Sequence, residues 1–254
     1  MNAISKTLFV ISAGLFVLYA GIQLAKADNE FTGIGNSVYK LYTSEKADCS
    51  AVAVSKNQLV TAAHCVTGQE PLSIRIDNEA WNAQGTRVLN SSTVHFVDRV
   101  RVLASKDVAF LELKDESVEL KPSKICDEDE LEFGDRVYAV GFPKVLDKTI
   151  TEGLFTAKTI LPIPSLEGPF YRTSVPIAGG NSGGGLFTFG KDKGLCLTGI
   201  TSAMNTQVSF MSFFSPLSSL QEVTKSLLNA EETKASYIPI DSATKEVLNP
   251  SDER

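Results

Sequence analysis

Polar and apolar positions alternate in short runs along this chain, and helical periodicity is nearly absent before residue 216. Six runs come first: 37–43 (SVYKLYT), 49–54 (CSAVAV), 58–63 (QLVTAA), 72–76 (LSIRI), 92–103 (STVHFVDRVRVL) and 108–113 (VAFLEL). After a polar bridge come 135–142 (DRVYAVGF), 149–160 (TITEGLFTAKTI), 170–175 (FYRTSV), 195–202 (LCLTGITS) and 207–214 (QVSFMSFF), with a further strand-like piece, LFTF, at 186–189. Strands this short at this spacing predict an all-β sandwich or barrel. The charged segment 114–134, interrupted by Pro122, predicts a surface connector between a first unit at 28–113 and a second at 135–229. Only 215–228 (SPLSSLQEVTKSLL) has a helical pattern. Ser215 would cap it, Pro216 suits a first helical position, and Leu217, Leu220, Val223, Leu227 and Leu228 share a face. The polar tail, 230–254, is expected to be mobile.

Composition narrows the function classes. The chain has 254 residues, 43% of them hydrophobic, which leaves room for a substantial core. Its net charge is −6 and it has no basic run, so no nucleic-acid partner is expected. Near the N-terminus, Lys6 precedes an apolar run that ends in Ala25-Lys26-Ala27, the small-x-small pattern of a cleavage site. Residues 1–27 are expected to be a signal peptide, with Asp28 as the new first residue. Left uncleaved, a run of ~20 apolar residues would anchor the chain in a bilayer, and a membrane partner is expected only then. Either way the rest of the chain is expected outside the cytoplasm, secreted or periplasmic. Four cysteines then predict two disulfides, with three pairings open. No Cys-x-x-Cys occurs and the only histidines are His64 and His95, so neither a metal site nor a cofactor is expected. His95, in a polar alternating run, is expected to be exposed.

Three segments carry candidate chemistry. LVTAAHC (59–65) puts His64 just after an apolar strand, and SKDVAFLEL (105–113) puts Asp107 at the mouth of another. AGGNSGGGLF (178–187) surrounds Ser182 with glycines. Taken singly, these are a packed histidine, a turn aspartate and a flexible loop. Together they fit one reaction. A serine hydroxyl is a weak nucleophile and needs a base. His64 can take its proton, and Asp107 can hold the imidazole and stabilise its cation. The glycines let the N–H groups of Gly180 and Ser182 converge as an oxyanion hole. A phosphate loop is excluded, because no Gly-Lys-Ser/Thr ending or following helix is present.

In the order His, Asp, Ser, with TAAHC and GNSGG, the chain resembles the chymotrypsin/trypsin-like serine proteases over roughly residues 34–229. It is closest in motif to bacterial members with Gly-Asn-Ser-Gly-Gly. The resemblance implies two antiparallel six-stranded β-barrels, an active site in the cleft between them and a C-terminal α-helix. It implies an endopeptidase acting on protein or peptide substrates through an acyl-enzyme. It also implies a Cys49–Cys65 disulfide pinning the histidine loop, which leaves Cys126 and Cys196 for each other. By the same resemblance Ile177, Ser202, Ala203 and Met204 line the substrate site, and Ser202 stands where a serine commonly supports the aspartate. Pro176 stands where trypsin-like members carry a buried Asp, so a small or medium apolar residue before the scissile bond is expected. Two departures matter. Asn181 replaces the aspartate that pairs with a freed N-terminus, so activation of that kind is not expected. Gly185 replaces a proline, which predicts a looser nucleophile loop. The alternative is a protease-like binding protein with little or no catalytic activity.

Overall fold

The computed structural model describes residues 31–217 apart from 32, 44–45, 70, 82–86, 127–130, 145, 192–193 and 206–209. The expected signal peptide, most of the expected helix and the polar tail lie outside the described residues. Among those described, no helix is long and apolar enough to cross a membrane.

Strand β6 (Val108–Leu113) shows how the sequence builds the architecture. Its residues VAFLEL are buried on both faces. Ala109, Leu111 and Leu113 point into one apolar cluster, and Val108 and Phe110 point into another. Successive strand side chains alternate between faces, so a strand between two cores reads as a continuous apolar run. β6 closes a barrel with β1 (Val38–Thr43), β2 (Lys46–Ala53), β3 (Gln58–Thr61), β4 (Leu72–Trp81) and β5 (Arg87–Leu103), in the order β1-β2-β3-β6-β5-β4. A second barrel is formed by β7 (Arg136–Gly141), β8 (Thr149–Ile160), β9 (Pro169–Thr173), β10 (Gly185–Phe189), β11 (Leu195–Met204) and β12 (Ser212–Pro216), in the order β7-β8-β9-β12-β11-β10. All the strand pairs are antiparallel and both barrels share one topology, although no repeat is visible in the residues.

Three cores hold the molecule together. Leu41, Leu59, Ile74 and Leu111 fill the first barrel. Val137, Phe155, Tyr171, Leu186 and Phe214 fill the second. The third joins the barrels, packing Val38, Val52, Val60 and Phe110 against Tyr138, Val140, Phe187, Leu197 and Ile200. The connector runs along both. The N–H groups of Leu120 and Ser123 donate to the carbonyls of Lys56 and Ala53 in the first barrel, and in the second the Cys126 N–H donates to Leu197 O while the Leu197 N–H donates to Lys124 O. Both disulfides, Cys49–Cys65 and Cys126–Cys196, are present.

Several expectations are corrected. Ser215 and Pro216 do not begin a helix but end β12, where they pair with Ile200 and Gly199. A proline at a strand's last position gives up little of the ladder, and Ser-Pro serves a strand end as well as a helix start. The strand expected at 207–214 begins only at Ser212; before it Phe210 is left-handed, with φ 60°, and the N–H of Asn205 donates to Met211 O. β4 and β5 are longer than the runs read from their patterns, because residues 77–81 pair with 87–92 as a two-stranded extension. Gly185 is not a loose point. It pairs with both Ile200 and Val140, and a Cβ there would lie 2.4 Å from the Phe187 ring.

Candidate active site

His64 sits in a short 3-10 turn, Ala63–Cys65, that follows β3. The Cys49–Cys65 bond ties the next residue to β2. Asp107 closes a second such turn, Ala104–Lys106, just before β6. It adopts the left-handed conformation, φ 50°, which aspartate tolerates better than most residues. The other barrel braces this turn, since Glu167 N–H donates to Ser105 O and Lys106 Nζ to Glu167 O.

The Asp107 carboxylate is 2% exposed and is surrounded by donors. His64 Nδ1 lies 3.0 Å from both of its oxygens, and the His64 N–H donates to Oδ1 at 3.0 Å. The Ser202 hydroxyl donates to Oδ2 at 2.5 Å. With Nδ1–H directed at the carboxylate, Nε2 is the imidazole's free lone pair. Burial pushes the His64 pKa down, but the charge and the hydrogen bond of Asp107 together push it further up, so it ends above the ordinary 6.5. Ser202, placed by resemblance among the substrate residues, thus spends its side chain on Asp107.

Ser182 comes from the second barrel, in the loop that leads into β10. This loop backs onto the end of β3. Gly183 has φ 79°, and a Cβ on it would fall 2.0 Å from Thr61 Oγ1 and 2.2 Å from Ser50 O. Only glycine permits that approach. The loop carbonyls are held one after another. Gly179 O accepts from Lys144 N–H (2.7 Å), Gly180 O from Ser50 Oγ (2.8 Å), Asn181 O from Gly184 N–H (2.8 Å) and Ser182 O from Ser50 N–H (2.7 Å). A trans peptide points its N–H opposite to its C=O. Fixing Gly179 O and Asn181 O therefore fixes the directions of the Gly180 and Ser182 N–H groups, and neither has an acceptor among the described residues. Gly180 has φ 96°, and a Cβ there would lie 2.4 Å from Phe142 O.

The structure brings His64, Asp107 and Ser202 into direct contact. Ser182 lies against Ser50 of the first barrel, and its hydroxyl has no hydrogen bond among the described residues. Asn181 is buried and its Oδ1 has no hydrogen-bond partner among the described residues. A neutral amide bears that at far lower cost than a carboxylate would. Ile177 packs on the second-barrel core, while Ala203 is half-buried and Met204 exposed at the end of β11. His95 is half-buried, with Nε2 2.9 Å from Thr93 Oγ1. Cys49, His64 and Cys65 cluster closely, but both sulfurs are used in the disulfide. Sequence reasoning missed Ser50, Thr61 and Lys144. Ser50 and Lys144 belong to no motif, and Thr61, although it opens TAAHC, bonds a residue outside it, Ser50.

The sequence model of the trypsin-like peptidase domain matches residues 49–193. A probable periplasmic serine endoprotease DegP-like protein of Pseudomonas fulva (strain 12-X) is 37% identical over 134 residues, which cover 51% of this chain and 25% of that protein. The chain thus matches about a quarter of that relative's length. Among solved structures, Rv3671c of M. tuberculosis H37Rv in an inactive form has a TM-score of 0.60 at 16% identity, over 80% of this chain and 93% of that one. Deg5 has a TM-score of 0.60 at 20% identity over 81% and 96%, and a serine endoprotease of Yersinia pestis 0.58 at 21% over 79% and 66%. At these identities the structural likenesses speak for the fold.

Proposed function

Because this chain belongs to the trypsin-like peptidase domain family, we propose that it is an exported serine endopeptidase with Ser182 as nucleophile, His64 as general base and Asp107 as the group that orients it. The observation that carries the reading is the buried Asp107 carboxylate, which accepts hydrogen bonds from His64 and Ser202. An unpaired buried carboxylate would be costly, and this one is spent on holding an imidazole in one tautomer. Ser182 Oγ attacks the substrate carbonyl while His64 Nε2 takes its proton. The N–H groups of Gly180 and Ser182 stabilise the oxyanion, and His64 returns the proton to the leaving amine. Water then hydrolyses the acyl-enzyme by the same steps.

An extended peptide adds to β11. Past Thr201 this strand pairs, among the described residues, only with β12, through Ala203↔Phe213 and Met204↔Ser212, while pairing with β10 stops at Ile200. Residues 202–204 thus offer an open edge beside the nucleophile loop. Ile177, Ala203 and Met204, with no acidic residue at Pro176, favour a small or medium apolar residue before the scissile bond. Export is supported by the two disulfides and by the periplasmic relative.

Fluorophosphonate labelling tests this without a guess at substrate. The expected result is one adduct, mapped to Ser182 and absent from Ser182→Ala. No adduct on folded, oxidised protein transfers the reading to a protease-like binding protein.

A further inference from the structure

Resting on the reading of Ser182 as nucleophile, we propose that Ser50 is a positioning residue that reaches from the first barrel to set the oxyanion-binding loop of the second. Ser50 is fully buried on β2, opposite Lys40 of β1. On the other side of β2, pairing with β3 covers only Val52 and Ala53, so the backbone at Ser50 lies beyond the end of that ladder. The nucleophile loop takes the vacant place, with Ser182 O accepting from the Ser50 N–H at 2.7 Å.

The side chain does more. A serine hydroxyl has one proton to give and two lone pairs. The proton goes to Gly180 O at 2.8 Å, and the oxygen accepts from the Phe142 N–H at 2.9 Å. One buried atom therefore joins segment 142–144 to segment 179–180. The contact between these segments, Lys144 N–H to Gly179 O at 2.7 Å, is the one that directs the Gly180 N–H. Ser50 itself is held in place, because Thr61 Oγ1 donates to its carbonyl at 2.7 Å. Without the hydroxyl, Phe142 N–H and Gly180 O lose their common partner and the two segments part. The Gly180 donor then swings off the point where the oxyanion forms, while His64 and Asp107 are untouched.

The test uses the full chain as parent, Ser50→Ala and Ile74→Val, the last a mild truncation in the first-barrel core away from the loop. The burst of p-nitrophenol from p-nitrophenyl acetate gives the acylation rate and the dissociation constant of the ester separately. In Ser50→Ala the acylation rate is expected to fall about 100-fold, the loss typical of one oxyanion donor. The dissociation constant should stay within twofold, and the pH midpoint of acylation should not move. Ile74→Val should melt earlier and acylate like the parent. Acylation by Ser50→Ala within threefold of the parent overturns the proposal, and so does a loss that Ile74→Val shares. If Ser50→Ala does not fold, Ser50→Cys keeps the shape with a weaker donor, and a rate loss of about 10-fold at unchanged dissociation constant is expected. An unchanged rate in that variant overturns the proposal as well. A parent that takes no fluorophosphonate on Ser182 defeats the underlying reading, which separates that failure from failure of the Ser50 role.

Discussion

At His64, activity and stability run in opposite directions with pH. The folded-state pKa lies above the ordinary 6.5, because the charge and hydrogen bond of Asp107 outweigh burial. The imidazolium–Asp107 pair thus adds stability that is complete below about 6.5 and is lost as pH rises through the folded value. The proposed general base needs the neutral ring, so turnover should rise over that same interval. A pH series of initial rates should have its midpoint above 6.5. Asp107→Asn removes what raises the pKa and leaves the burial that lowers it, so the midpoint should fall below 6.5 and kcat should drop about 10⁴-fold. Asn181 supplies another prediction. It is buried and its Oδ1 has no hydrogen-bond partner among the described residues, so Asn181→Asp would bury a carboxylate without one. Urea unfolding at pH 7 should show a loss of about 2–4 kcal/mol. The loss should shrink as pH falls, because the folded state then binds a proton that the unfolded state does not. Of the proposed site, His64, Asp107 and Ser182 can be picked out in the chain because each sits in a segment with its own pattern. Ser50 is not, because a lone serine after a cysteine has no meaning until a loop 130 residues away lies on it.

At the scale of elements, the legible strands were those with a core on at least one face. β6 and β7 show their whole length, since each divides its side chains between two cores. The outer ends of β4 and β5 stay hidden, because DNEAW (77–81) and RVLNS (87–91) carry no regular alternation of polar and apolar positions. Ser215-Pro216 misleads for a different reason, as the same two residues close a strand as readily as they open a helix. Comparison with a proline at Gly185 predicts looseness, whereas its lack of a side chain makes room for the Phe187 ring. Gly185→Ala should therefore cost about 1–3 kcal/mol through overpacking. Thermal melts would show it, and a variant as stable as the parent would mean that Phe187 shifts without penalty.

At the scale of the molecule, the chain builds one barrel topology twice, and the proposed chemistry draws on both copies. The proposed base and its orienting acid come from the first barrel and the nucleophile from the second, so the core between the barrels serves the site as well as the fold. Phe187→Ala in that core should destabilise by about 3–5 kcal/mol. Fluorophosphonate labelling should fade at lower urea than the signal from the Leu41 and Ile74 core. Loss of both together would mean that the barrels unfold as one unit. The Cys126–Cys196 bond has a consequence of another kind. Cys126 lies before β7 and Cys196 within β11, so peptide and disulfide together close a covalent ring through the second barrel. A single cut between residues 127 and 134 opens the ring without freeing either piece. The severed halves would stay tethered at the high mutual concentration of one molecule, running as one species until a reductant splits them into two.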